Sequence, residues 1–335
     1  MTRPPLPVDL LDLDRNGHLL DTDGRTTVPD TDIAKHLERH LRLREDATDI
    51  FVFVHGWRTK PEDALTHART LFSHVETLAA AQPHAYQGLR GFRPQYVAVR
   101  WPSRDTKLLP TDYDPVKKRT QTMSAHGHVP RVLGTILGYL NTHRDTPEPG
   151  PETLTTAYGQ YLHCIGHSFG SRVLLHGILE ATKRLIEGGP DTLAGDFAHS
   201  TYPWTLDSLT LFQAALPADT FASDPFTKIL NPNVLNAPIA MTYSPSDTAL
   251  GKLHTRKEDQ VAVGYLGASA PPDHIAQITL LDTATPYSFP RGKRLINVDA
   301  SKLYTAKKLF VGAHSDFYHL ESAHLLLSLA DSARQ

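Results

Sequence analysis

Short runs of consecutive apolar residues, not alternating ones, punctuate this chain. Residues 50–54 (Ile-Phe-Val-Phe-Val), 96–99 (Tyr-Val-Ala-Val) and 162–165 (Leu-His-Cys-Ile) are brief and rich in β-branched and aromatic side chains. Such runs read as strands covered on both faces of a parallel sheet. Further strands are predicted over 206–212, 238–243 and 295–298. Between them the spacing becomes helical: a polar helix over 31–43, others over 61–80, 129–140 and 171–186, and a last one over 319–330. Pro61 suits the first turn of the second helix, where its missing N–H has no intrahelical partner to lose. Strands alternating with helices predict an α/β fold, a mostly parallel central sheet with helices on both faces. No internal repeat or boundary divides the chain, so a single domain over 1–335 is expected.

The intervening segments are less regular. Residues 8–11 and 19–20 flank Asn16-Gly17, a dipeptide suited to the positive φ of a tight turn, so the first 30 residues predict a β-hairpin. The same stretch imitates the opening of a calcium loop through Asp12, Asp14 and Asn16. Such a loop wants a bidentate Glu at its twelfth position, where Asp23 stands. Residues 142–151 read as a surface loop and Gly188-Gly189 as a helix stop. The connection between 212 and 239 is too short for a large lid domain. The polar segments 104–128 and 251–294 are the candidates to cover an active site.

Composition narrows the function classes. The 335 residues are 40% hydrophobic and 21% charged, as in ordinary globular proteins, and the net charge is -2. That balance argues against a nucleic-acid partner, which needs a clustered basic excess. Lys117, Lys118 and Arg119 read as a solvated helix face. The single cysteine, Cys164, rules out an intramolecular disulfide and sits in an apolar run as a small buried hydrophobe. No signal-peptide core opens the chain and no run of about 18 apolar residues predicts a membrane span, so a cytoplasmic location is expected. Oligomeric state leaves no mark in the sequence.

The sharpest chemical signal is Gly166-His167-Ser168-Phe169-Gly170, placed between a predicted strand and a predicted helix. A strand-to-helix turn this sharp strains its central residue, and the flanking glycines remove the Cβ atoms that would collide. Ser168 would then project above the sheet as a nucleophile. A serine hydroxyl needs a base, and the base an orienting carboxylate, following it in the order acid then histidine. Asp247 lies just beyond the strand at 238–243, and His314 just before the last helix. Asp219 and Asp316 are rival acids. His319, His324, His254, His274 and His163 are rival histidines, and His167 is expected to shape the turn. Oxyanion donors are expected from the backbone N–H groups of Phe169 and Trp57, the latter in the turn His55-Gly56-Trp57 after the first core strand. His55, Arg58, Trp101 and His167 are further candidates for contact with substrate.

With these residues assembled, the chain resembles the α/β-hydrolase superfamily in its esterase, lipase and thioesterase branch. It is similar to a bacterial group of largely uncharacterised α/β-hydrolases. The likeness rests on His55-Gly56-Trp57, Trp101-Pro102-Ser103, the His167-to-Gly170 elbow, Ser244 to Leu250 and Gly312 to Ser315, and spans roughly 50–330. It implies a nucleophile elbow at Ser168, with Asp247 and His314 in the other triad positions. Phe169 departs from the small or linear residues common after the serine, and the Lys-rich segment 299–310 and the first 30 residues lack a counterpart.

The expected activity is cleavage of a small-molecule carboxylic ester or thioester through an acyl-serine, with no cofactor and no metal. Two alternatives use the same residues differently. One is an acyltransferase or cyclising enzyme that passes the acyl group to another nucleophile. The other is a non-catalytic binding module on the same fold.

Overall fold

In three dimensions the apolar runs lie side by side. The computed structural model describes residues 4–105, 113–144, 160–187, 206–270, 273–307 and 312–334. Strands β1 (Asp9–Asp12), β2 (Asp49–Val54), β3 (Pro94–Arg100), β4 (Tyr161–His167), β5 (Ser208–Phe212), β6 (Ile239–Tyr243), β7 (Ile275–Thr279) and β8 (Leu295–Asp299) form one sheet. Its order is β1-β3-β2-β4-β5-β6-β8-β7, and every pairing is parallel. Each residue of β2, β4, β5 and β6 is buried, whereas the edge strands β1 and β7 are half wet. That is why the central strands read as unbroken apolar runs.

Strand β2 shows how the two core layers arise. Ile50, Val52 and Val54 face one layer, with Leu37 of α1 (Ile33–His40), Leu133 of α4 (Val129–His143) and Val173 of α5 (Phe169–Glu187). Phe51 and Phe53 face the other, with Phe72 of α2 (Pro61–Ala81) and Leu325 of α8 (Leu320–Ser332). Successive side chains of a strand point to opposite faces, so a strand apolar throughout needs helices on both. Shorter helices are α3 (Tyr113–Gln121), α6 (Thr255–Glu258) and α7 (Val263–Leu266). Among the described residues no helix is long and apolar enough to cross a membrane.

The chain runs outward from β2 to β3 and then returns to β4 on the other side of β2. Because all strands are parallel, their carboxyl ends share one rim. The order reverses between β2 and β4, and it is at such a switch point that open α/β sheets offer a crevice to ligands.

Two segments differ from the sequence expectation. The N-terminal strand pairs in parallel with β3, and the expected hairpin shrinks to isolated antiparallel bridges, Leu13 with Leu19 and Leu20 with Thr27. The turn itself forms, with Gly17 at φ +88°. The free edge of β3 offers the strand a full ladder, which outcompetes the short hairpin. The calcium-loop imitation is accounted for by protein partners. The Asp12 carboxylate accepts two bonds from Arg100, at 2.5 and 2.7 Å, and Asp14 accepts the N–H groups of Asn16 and His18. Within 251–294, read as polar covering, β7 forms the far edge of the sheet. An edge strand keeps one side in water, so Ile275-Ala-Gln-Ile-Thr279 carries polar residues that hide it.

The segment 104–128 holds α3 and a π-helical turn, Thr122–His126. Lys117 pairs with Glu258 and Arg119 with Asp105, while Lys118 is exposed. The connection 213–238 carries two 3-10 turns, Thr220–Ala222 and Phe226–Leu230. Most of the 142–151 loop, Gly188-Gly189 and part of the 104–128 segment lie outside the described residues. Cys164 is buried in β4, and burial pushes its thiol pKa up.

Candidate active site

The elbow after β4 is a strained turn made possible by close backbone approach. Ser168 has φ +54°, a left-handed conformation that costs an L-residue about 1–2 kcal/mol. A Cβ on Gly170 would stand 2.3 Å from the Val54 carbonyl oxygen and 2.4 Å from that of His55. One on Gly56 would stand 2.5 Å from Nδ1 of His167 and 2.7 Å from Cβ of Ser168. The two glycines therefore press the elbow against the end of β2. The Ser168 N–H donates to the Phe212 carbonyl at 3.1 Å, and the Ala215 N–H donates to the Ser168 carbonyl at 3.2 Å, tying the elbow to the end of β5 as well.

Three side chains distant in sequence meet above this turn. Nε2 of His314 stands 2.7 Å from Oγ of Ser168, and Nδ1 of His314 stands 2.7 Å from Oδ2 of Asp247. With Asp247 ionised, Nδ1 carries the proton and donates it to the carboxylate. Nε2 is then left to accept from the serine hydroxyl. All three are buried: Ser168 is 1% exposed, His314 3% and Asp247 0%. Burial raises the Asp247 pKa, and His314 beside it opposes the shift.

Neighbouring residues hold this relay in place. Asp247 follows β6; its Oδ1 accepts the Leu250 N–H at 2.9 Å and its Oδ2 the Gln213 side-chain amide at 3.1 Å. The Ala313 N–H donates to the Ser246 carbonyl at 3.1 Å, which docks the His314 loop on the Asp247 loop. His167 donates from Nε2 to the His314 carbonyl at 2.8 Å. Burial and the neighbouring His314 hold the His167 pKa well below the usual imidazole range, so it acts as a neutral tether.

The turn after β2 is fastened in its own right. The Trp101 N–H donates to Nε2 of His55 at 3.2 Å, the His55 Nδ1–H donates to the Gly56 carbonyl at 3.1 Å, and the Trp101 indole N–H donates to the His55 carbonyl at 2.7 Å. Burial lowers the His55 pKa to about 4. With both ring nitrogens committed, His55 braces this turn. Trp101, 2% exposed, serves the same bracing. The backbone N–H groups of Trp57 and Phe169, the expected oxyanion donors, bond to no acceptor among the described residues. Arg58 is itself at φ +62° and lies over the Trp57 ring, 5.6 Å from its centroid.

No family model matches the chain, and no curated protein matches it. Among solved structures, a crystal structure of an uncharacterised protein from Bacillus cereus ATCC 10987 matches with 10% sequence identity and a TM-score of 0.28. The match covers 80% of this chain and only 59% of that one, and a likeness this slight carries no argument.

Among the described residues none of the rival acids or histidines hydrogen-bonds to the Ser168 hydroxyl or the His314 ring. Asp316 accepts the N–H groups of Thr305 and Ala306 and pairs with His319, which caps α8. His324 bonds to the Tyr86 hydroxyl at 2.6 Å, and His163 bridges Asp49 and Ser208. Asp219 opens a 3-10 turn, and the backbone carbonyl of His274 accepts the N–H groups of Arg294 and Leu295. His254 is close by but bonds to the Tyr113 hydroxyl at 2.8 Å.

Sequence reasoning missed the aromatic cluster packed beside the elbow. Tyr113 of α3 lies 5.4 Å from both the Phe169 and the Trp57 rings, and Arg172 stacks over Phe169 while pairing with Glu258. It also missed Gln213. Its place directly after β5, on the rim where the other strand-end residues gather, was the signal available. Around Ser168 no group of three metal-ligating side chains occurs among the described residues; the one such group is Asp21, His36 and His40, near α1.

Proposed function

We propose that the chain is a serine hydrolase of the α/β-hydrolase type, cleaving a carboxylic ester or thioester through an acyl-serine. The reading rests on one observation above all: a serine at φ +54° whose hydroxyl is 2.7 Å from a histidine that is 2.7 Å from a buried aspartate. Oγ of Ser168 attacks the carbonyl carbon while Nε2 of His314 takes its proton. Asp247 keeps the imidazole in the reactive tautomer and stabilises the cation. The N–H groups of Trp57 and Phe169 receive the oxyanion. As that intermediate collapses, His314 returns the proton to the departing alcohol or thiol. Water, deprotonated by the same imidazole, then attacks the acyl-serine and releases the carboxylic acid and free Ser168. No step needs a cofactor.

A series of p-nitrophenyl esters and acyl thioesters of increasing chain length tests the reading. It predicts saturable hydrolysis of at least one ester or thioester. Absence of turnover on every ester and thioester would count against it. Transfer of the acyl group to an added alcohol or amine in preference to water would assign acyl transfer to the same intermediate.

A further inference from the structure

We propose that Asp21, His36 and His40 form a binding site for a divalent transition-metal ion, with Zn²⁺ the best fit, which fastens the N-terminal turn to α1. His36 and His40 are four residues apart on α1, the spacing that puts two side chains on one face of a helix. Their ring centroids are 4.5 Å apart. Asp21 comes from the preceding turn, where its N–H bonds to the Thr26 carbonyl and its own carbonyl accepts from Gly24. One ligand atom from each of the three residues lies within 4.8 Å of the other two.

A second observation points to an ion. The His36 side chain is 5% exposed, yet its Nδ1 stands 3.7 Å from Oδ1 of Asp21, beyond hydrogen-bonding range. Neither ring nitrogen makes a hydrogen bond among the described residues. Nδ1 of His36 and Oδ1 of Asp21 thus face each other across a gap that a shared cation would fill. Ligands around a tetrahedral ion, each about 2.1 Å from it, stand about 3.4 Å apart, so the observed 3.7 Å needs little adjustment.

The donor set selects the class of ion. Two imidazoles and a carboxylate suit Zn²⁺ and its neighbours, whereas Mg²⁺ and Ca²⁺ take oxygen ligands. His40 is exposed, which leaves room for water in the remaining position. The site shares no residue with the Ser168 relay, and the inference stands independently of the proposed hydrolysis.

Calorimetric titration of the chelator-stripped full chain with ZnCl₂ tests the site. One ion per chain is expected, with micromolar or tighter affinity, and His40→Ala and Asp21→Asn should each weaken it about tenfold or more. Saturating Zn²⁺ should raise the melting temperature of the wild type by about 5 °C and leave both variants nearly unmoved. The comparison with variants matters because 19 histidines offer many weak sites. His40 is exposed, so its loss leaves the fold intact. Equal affinity in wild type and variants, or no binding tighter than about 100 μM, would overturn the proposal.

Discussion

Replacing Ser168 by Ala is expected to lower ester turnover by about 10⁴ to 10⁶-fold while leaving the fold in place. In the proposed mechanism the hydroxyl is the attacking group, and neither His314 nor Asp247 can substitute for it. The size of the loss reflects a relay that works only as a unit. Stability should behave differently. The backbone at this position has φ +54°, strained for any side chain with a Cβ. Ala keeps that strain and Gly releases it, so Ser168→Gly, equally inactive, should be about 1 kcal/mol more stable than Ser168→Ala. Steady-state kinetics and urea unfolding of the two variants check both halves. A Ser168→Ala protein retaining near wild-type turnover would remove the mechanism. A glycine variant no more stable than the alanine one would remove the strain.

The second large effect is a loss of stability in mild acid. Burial holds His55 and His176 at pKa values of about 4 and His254 at about 3, against about 6.5 for an unfolded histidine. Above pH 6.5 these side chains are neutral folded or unfolded, and the stability they permit is fully present. As the pH falls from 6.5 towards 4, the unfolded chain takes up protons that the folded chain refuses. Each such histidine then removes up to about 1.4 kcal/mol per pH unit. Three together remove up to about 4 kcal/mol per unit, a large part of the 5–15 kcal/mol typical of a folded protein. Urea midpoints measured at pH 8, 6.5 and 5 should stay level over the first interval and fall steeply over the second. A level midpoint down to pH 5 would mean that these rings are charged, or wet, in the folded state. His55 braces the turn carrying Trp57, so activity should fail along with stability.

Much of the sheet was legible because its central strands are covered on both sides. β2, β4, β5 and β6 are buried along their whole length and mostly apolar, so their runs stood out. β1 and β7 were harder for the opposite reason. In β1, Asp9 and Asp12 bond to Gln95 and Arg100 of β3, so the strand reads as part of a polar turn, and in β7 the exposed Gln277 and Thr279 break the apolar run. The short hairpin around Gly17 was half right: local turn chemistry fixed the turn, while the long-range ladder with β3 decided the pairing.

Ser168 and Asp247 were legible because each sits just past a predicted core strand, and in a parallel sheet those positions share a rim; His314 was legible from its place between the last strand and the last helix. What surrounds them was not. Gln213 reaches Asp247, Tyr113 reaches Phe169 and Trp57, and Arg172 pairs with Glu258, through contacts between segments whose approach no local pattern encodes. His55 and Trp101 were noticed for the right turn, but the brace they form there was not foreseen. Their hydrogen bonds to each other lie across two strand ends, a distance in sequence that hides the brace.

The most direct test is covalent labelling with a fluorophosphonate probe, followed by mass mapping of the modified peptide. The mechanism predicts one adduct per chain, on Ser168. It also predicts that Ser168→Ala abolishes labelling and that His314→Ala slows it severely, because the hydroxyl then lacks its base. An unlabelled wild-type protein, or an adduct on another residue with Ser168 untouched, would contradict the claim that this serine is an activated nucleophile.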